Sequence, residues 1–386
     1  MLKKTLLAAL CSAAVFTLGA PQAVADEPIR IGSFVSASGP ASFLGDPQRK
    51  TLQLYVERIN EEGGVLGRPL EFTYYDDHGA SDQARTFARR LIARDRSHVL
   101  IGGSTTGATM ASVELVERLE IPFISLAGAV VVVDPVKKWV FKTPETDRMA
   151  AEQVFADMQR RGISKIGLIS GTGGFGASGR QQAHEVAPDF GIEIVEDETY
   201  APDDTDMTPQ LTRIRSNRDV EAILNFDFGQ APAIVTRNYA ALGIDRPLYQ
   251  SHGVASESFL ELAGSAAEGI RLPVSPILVA DLLADDDPQK GPTMAFRETY
   301  LEAYGETPSA FAGYAYDALM LAVDAIERAG STDPHAIRDA LEETTGFEGV
   351  TGTFNMSPED HMGLDIETSF RMVEVRDGTW QLIEHD

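Results

Sequence analysis

Short runs of apolar, β-branched residues alternate with helical spacings along most of the chain. Residues 29–35 read as a strand. Within 51–59, Leu52, Leu54, Tyr55, Val56 and Ile59 recur at helical spacing, and Gly63-Gly64 stops that helix. Strands are predicted at 69–75, 98–101 and 122–125. Helices at 81–93 and 106–119 separate them, the second capped at its start by a hydroxyl residue. After a short strand at 139–143 the rhythm resumes: helix 147–161, strand 165–170, helix 175–187, strand 192–200, helix 207–216, strand 222–226 and helix 231–242. Such alternation calls for mainly parallel sheets with helices on both faces.

The last third breaks this rhythm. Helices are predicted at 293–304, 308–329 and 334–344, followed by strands at 349–354, 369–375 and 380–383. Asp377-Gly378 joins the last two as a strong hairpin turn, so the chain is expected to end in an antiparallel element.

The N-terminus changes the picture from fold to compartment. Lys3 and Lys4 precede a short apolar stretch at 5–18, and Ala23-Val24-Ala25 offers the small residues a signal peptidase reads. Residues 1–25 are therefore expected to be a secretory signal peptide, cleaved after Ala25, that delivers the mature chain to the periplasm. Cys11 lies inside this segment, and Leu10 before it is too large for a lipoprotein site. A mature chain without cysteine has no thiol catalysis, cysteine–metal site or disulfide. Its net charge goes from −25 to −27 when Lys3 and Lys4 are removed. That argues against nucleic acid, whose phosphates need clustered Lys and Arg. The longest later apolar run, 127–133, is far too short to cross a bilayer.

Ordered blocks along the mature chain carry a family resemblance. Ile31-Gly32, Ser38-Gly39-Pro40 and Gly45-Asp46 open it, and residues 59–69 (INEEGGVLGRP) and Tyr75-Asp76-Asp77 continue it. The segments 102–107 and 121–125, then Ala241-Leu242-Gly243, Ala266-Ala267-Glu268-Gly269 and 313–318 (GYAYDA), follow in order. Together they resemble the periplasmic solute-binding proteins of the leucine/isoleucine/valine-binding type. The resemblance implies an α/β fold of two doubly wound lobes, the type I periplasmic-binding-protein fold, joined by a three-strand hinge. Lobe 1 would comprise 26–146 plus 276–353, and lobe 2 would comprise 147–275 plus 354–386. A small-molecule ligand would be captured by cleft closure and passed to an inner-membrane ABC permease by a monomer needing no cofactor or metal.

Site residues follow from the same resemblance and from chemistry. In parallel α/β sheets, ligands meet the loops at the carboxyl ends of strands, where helix N-termini favour a carboxylate. Thr106 falls where the family presents a serine to the ligand carboxylate, with Thr105 beside it; as a bland alternative, Thr106 is a simple helix cap. Ala127, Gly128 and Ala129 fall on neighbouring, largely backbone contacts. Leu44 stands where relatives often place an aromatic residue at the cleft mouth, and Phe43 could serve instead. Phe175 and Phe228 fall on or near family tyrosines. His252 falls where the amino-acid binders carry a glutamate for the ligand's ammonium, and a histidine is a poor substitute for that acid. The expected ligand is therefore a carboxylate without an ammonium group, such as an aromatic acid, with branched-chain amino acids as the alternative.

Enzyme readings are weaker. Gly171-Thr172-Gly173-Gly174-Phe175-Gly176 matches a dinucleotide fingerprint, with Glu193 and Glu196 spaced for a ribose contact. Nicotinamide cofactors are cytoplasmic, however, and the export route carries unfolded chains. No Gly-x-Ser-x-Gly elbow is present, and the seven histidines show no metal-ligand spacing. A ligand sensor on the same fold is the third reading.

Overall fold

The computed structural model describes residues 27–383; the expected signal peptide and Cys11 lie outside them. The first sheet is built from β1 (Ile29–Val35), β2 (Leu70–Asp76), β3 (Val99–Gly102), β4 (Phe123–Ser125) and β5 (Val140–Lys142), all parallel, in the order β2-β1-β3-β4-β5. Next in sequence come β6 (Lys165–Gly171), β7 (Glu193–Tyr200), β8 (Ala222–Phe226), β9 (Leu248–Gln250) and β10 (Arg271–Val274), which run parallel in the second sheet. A two-stranded hairpin of β11 (Phe347–Glu348) and β12 (Thr353–Phe354) stands apart from both. Last, β13 (Arg371–Arg376) and β14 (Thr379–Leu382) add an antiparallel edge, giving the order β14-β13-β10-β9-β8-β6-β7.

The result is two α/β lobes. The strands at the centre of each sheet are wholly buried, as sheets covered by helices on both faces require. The chain passes between the sheets after Lys142, after Val274 and between Phe354 and Arg371. Helix Ala310–Ala329 returns to the first lobe, where Tyr316 packs on Tyr55 at 4.6 Å between ring centres.

Most predicted elements are present, and the exceptions have causes. The first helix spans Ser42–Glu61 rather than beginning near residue 51. Gly45 and Pro47 read as breakers, yet both sit inside it. A Cβ on Gly45 would lie 2.2 Å from the Ser36 carbonyl carbon, so glycine lets the helix press on the loop after β1. Of the strand expected at 349–354 only 353–354 forms, as β12; residues 349–352 are the turn that joins it to β11. The strands β9 and β10 escaped the pattern because they are only three and four residues long. Pro273 sits in β10 opposite Met372 of β13, beyond the single β9 pairing at Arg271, where no ladder donor is forfeited to β9. The Asp377-Gly378 turn has both residues at positive φ, as a two-residue hairpin requires.

A charged network ties the second lobe together. Asp157, on helix Asp147–Arg160, accepts from the Tyr249 hydroxyl at 2.6 Å and from Arg271 Nη1 at 3.1 Å. Arg271 also holds Glu374 of β13 at 2.7 Å. One helix is thereby fastened to β9, β10 and β13. Removing the acid would leave the Tyr249 hydroxyl proton and half of the Arg271 guanidinium without an acceptor in a largely buried place, although the Tyr249 oxygen keeps its bond from Arg161. Asp157→Ala is expected to cost about 3 kcal/mol of unfolding free energy, read as a lowered urea midpoint with unchanged slope.

Candidate functional site

The candidate residues converge on the cleft because each follows a parallel strand at its carboxyl end. Leu44 follows β1, Ser104 to Thr106 follow β3, Leu126 to Gly128 follow β4, Phe175 follows β6, Phe228 follows β8 and His252 follows β9. In both sheets these loops flank the point where strand order reverses, between β1 and β3 and between β6 and β8.

On the first lobe the chain turns sharply at Gly103. Its φ is +69°, and a Cβ there would lie 2.3 Å from Thr109 Oγ1. Three consecutive hydroxyls follow, and two are already engaged. Ser104 Oγ donates to Gln48 Oε1 at 2.6 Å and accepts from the Ser36 amide at 3.0 Å. Thr105 Oγ1 accepts from the Ala108 amide at 3.1 Å and is the N-cap of helix Thr106–Leu119. Thr106 is thus not the cap. Its hydroxyl is buried without a partner and lines the pocket at the positive end of the helix.

The second lobe supplies an aromatic wall. Phe175 lies 5.9 Å from Phe228 and 5.4 Å from His252, the histidine ring edge-on at 82°. His252 is 3% exposed, and its Nδ1 has no partner. Burial, the nearby Lys142 ammonium and a weaker opposing contact with the Glu145 carbonyl leave its pKa pushed down to about 3. The imidazole is therefore neutral, with one donor and one acceptor and no positive charge to offer a ligand. Phe311 and Tyr314, from helix Ala310–Ala329, complete the cavity with Pro144.

The pocket opens to solvent, and about 370 Å³ of atom-free space, part of it solvent at the mouth, lies between its walls. Leu44, Thr105, Thr106, Gly128, Phe175, Phe228 and His252 all line it. Ala127 and Ala129 do not; they are buried in the packing on either side of Gly128. Phe43 stands outside at the mouth, its ring 6.0 Å from Phe228 and 5.8 Å from Phe311. Sequence reasoning missed Ser104, Leu126, Pro144, Gly253, Phe311 and Tyr314 as lining residues. The block 313–318 pointed at the last of these but carried no chemistry on its own. No carboxylate lines the cavity among the described residues.

The glycine fingerprint has a structural explanation. A Cβ on Gly171 would lie 1.9 Å from Asp227 Oδ2, and one on Gly176 would lie 2.3 Å from the Gly171 carbonyl. These glycines let the strand turn into helix Gly174–Val186 beside a buried acid. A carboxylate at that turn repels a pyrophosphate. Asp197, on the strand that carries Glu193 and Glu196, pairs with Arg180 and His184. Among the described residues no group of histidine, cysteine and acidic side chains could hold a metal.

Comparison with known proteins decides the family. A family model described as periplasmic binding protein matches residues 28–379. The chain belongs to the periplasmic binding protein family. This binding protein is 25% identical to a leucine-, isoleucine-, valine-, threonine- and alanine-binding protein of Pseudomonas aeruginosa, over 86% of the chain and 87% of that protein. It is 28% identical to an extracellular ligand-binding receptor of Rhodopseudomonas palustris HaA2, with a TM-score of 0.85 covering 92% of the chain and 99% of the receptor. A solute-binding protein of an ABC transporter from Rhodopseudomonas palustris BisB5, in complex with 3,4-dihydroxybenzoic acid, shares the fold at 20% identity, a TM-score of 0.80 and coverage of 93% and 96%. The periplasmic binding protein is of the leucine/isoleucine/valine-binding type, and proteins of this family bind small ligands and work with ABC transporters. No helix among its described residues is long and apolar enough to cross a membrane.

The binding protein meets itself across the cleft at Gly128. A Cβ there would lie 3.0 Å from Phe175 Cε2 and 3.1 Å from His252 Nε2. Gly128→Ala would overpack the closed cleft by about 1–2 kcal/mol. Ligand affinity is expected to fall about tenfold in calorimetric titration, while the thermal midpoint without ligand stays close to that of the parent.

Proposed function

We propose that the chain is an extracytoplasmic binding protein for a small organic carboxylate, aromatic in preference, which it encloses by lobe closure and delivers to an ABC importer. Residues 1–25 act as its signal peptide, and the lobes keep the boundaries expected from the sequence. The reading rests chiefly on one observation: a pocket with a free Thr106 hydroxyl at a helix N-terminus and no carboxylate in its walls.

An anion at that helix end meets unpaired amide donors and the positive end of the helix dipole. An ammonium in the same pocket would be desolvated without a countercharge, which is costly. The nearest buried acids, Glu145 and Asp227, are outside the lining, and burial raises the pKa of each. Phe175, Phe228 and Phe311 supply flat apolar surface suited to a ring. The Pseudomonas relative is named for aliphatic amino acids and a protein of the same fold holds a dihydroxybenzoic acid, so the fold itself does not choose between them. The pocket residues do, and here they favour the acid without an ammonium.

A thermal-shift panel tests this. Benzoic and hydroxybenzoic acids are expected to raise the melting temperature, and leucine, isoleucine and valine to leave it unchanged. Tight leucine binding would overturn the reading. His252→Glu is expected to weaken benzoate binding by about 100-fold or more, because like charges would face each other in the pocket. It would also let an amino acid bind that the parent rejects.

A further inference from the structure

Behind the pocket wall lies a polar cluster that ligand capture does not yet use. Glu145 stands on the first crossing between the lobes and is fully buried, with neither carboxylate oxygen in a regular hydrogen bond. The Tyr314 hydroxyl, whose ring lines the pocket, also lacks a regular partner, as does Ser275 Oγ on the second crossing. The carboxyl lies beside both: the Tyr314 and Ser275 hydroxyls each act on its ionisation, and Glu145 acts in turn on that of Tyr314. Three orphaned polar groups from three chain segments thus meet where the hinge touches the ligand site.

We propose that Glu145 and Tyr314 form a proton-linked specificity element, in which a neutral Glu145 turns the Tyr314 hydroxyl into a donor toward the ligand. This rests on the carboxylate reading of the pocket. A neutral carboxylic acid donates its O–H to the phenol oxygen, and the phenol's own proton is then free to point into the cavity. When the acid ionises, its proton goes to solvent. The phenol then donates to the carboxylate and offers the ligand only lone pairs. An anionic ligand is favoured by the first state and repelled by the second. Glu145 is here a positioning residue, acting through Tyr314.

The surroundings favour the neutral acid. Burial is the largest influence on Glu145 and pushes its pKa well above the carboxylate range. Lys142, at the end of β5, opposes this. Its own pKa is driven down by burial, and its Nζ rests on the carbonyls of Gly128 at 3.2 Å and Glu145 at 3.3 Å. Asp147, on the helix after the crossing, is raised by burial and faces Lys142. His252 is neutral throughout the ordinary range. Asp317, one turn along the Tyr314 helix, is pushed up to about 7 by burial and acts weakly on the phenol. Its oxygens are held by the Val350 and Thr351 amides, at 2.8 and 2.9 Å, away from the pocket.

The test measures benzoate affinity by calorimetry from about pH 6 to about pH 9 for the parent, Glu145→Gln and Tyr314→Phe. The infrared carboxyl stretch of each protein without ligand is recorded alongside. The parent is expected to lose affinity by up to about tenfold per pH unit once Glu145 ionises. Glu145→Gln, which keeps a neutral donor, should retain the low-pH affinity and lose most of the slope. Tyr314→Phe should be weaker at low pH and nearly flat. A protonated-acid band belonging to Glu145, seen as the difference between the parent and Glu145→Gln, should be present in the parent and shifted in Tyr314→Phe. A slope unchanged in Glu145→Gln, or a parent without that band, overturns the proposal. Should benzoate fail to bind at any pH, the carboxylate reading falls. The infrared comparison then decides the Glu145–Tyr314 coupling on its own: a band unmoved by Tyr314→Phe refutes it.

Discussion

The first crossing between the lobes is the constraint on which the site depends. Over six residues the chain must leave one parallel sheet and start a helix of the other, and it buries Lys142, Glu145 and Asp147 in doing so. Asp147 Oδ1 accepts from the Val130 amide at 2.9 Å, and its own amide donates to the Gly128 carbonyl at 3.1 Å. Lys142 Nζ reaches that same carbonyl. The loop that forms the pocket floor is therefore pinned to the hinge through its backbone. Buried charges are tolerable only with such partners, so the loop and the crossing specify each other's conformation.

This coupling explains the division of labour around the cavity. The first lobe offers a fixed polar end, because Ser104 and Thr105 are used up in building the turn and cap that aim Thr106. The second lobe offers apolar rings that pack on one another and on Phe370 through His252. A preorganised polar end loses little freedom when a ligand arrives, while the rings contribute surface whose burial is nearly independent of orientation. The polar end and the facing wall of Phe175 and Phe228 thus come from different lobes.

The fold was legible in the sequence wherever a segment was long and periodic. Helix Thr106–Leu119 and strand Ile29–Val35 were read at their observed bounds, because apolar spacing and cap chemistry agree there. Strand Leu248–Gln250 was not, since three residues carry no period. The start of helix Ser42–Glu61 was hidden because Gly45 and Pro47 obey tertiary packing rather than helix propensity. For the site, loops after strands were predictable from the α/β rhythm, and Thr106, Phe175 and Phe228 lie there; His252, after the unpredicted β9, was reached only through the family resemblance. Tyr314 and Glu145 were not predictable. Tyr314 comes from a helix far away in sequence, which only the return of the chain to the first lobe brings to the cavity, and Glu145 lies on a short crossing whose burial no periodicity announces.

That contrast bears on how ligand choice is encoded. The residues found from sequence are those a family pattern marks, and they set the general form of the pocket. The hinge cluster adds a second layer that depends on whether a buried acid is charged. Its energetic setting is asymmetric: burial penalises the ionised Glu145, whereas the ammonium that would stabilise it is itself disfavoured by burial at Lys142. A shared interior therefore tends to hold both groups neutral instead of as an ion pair, and the Tyr314 phenol stands between that interior and the cavity.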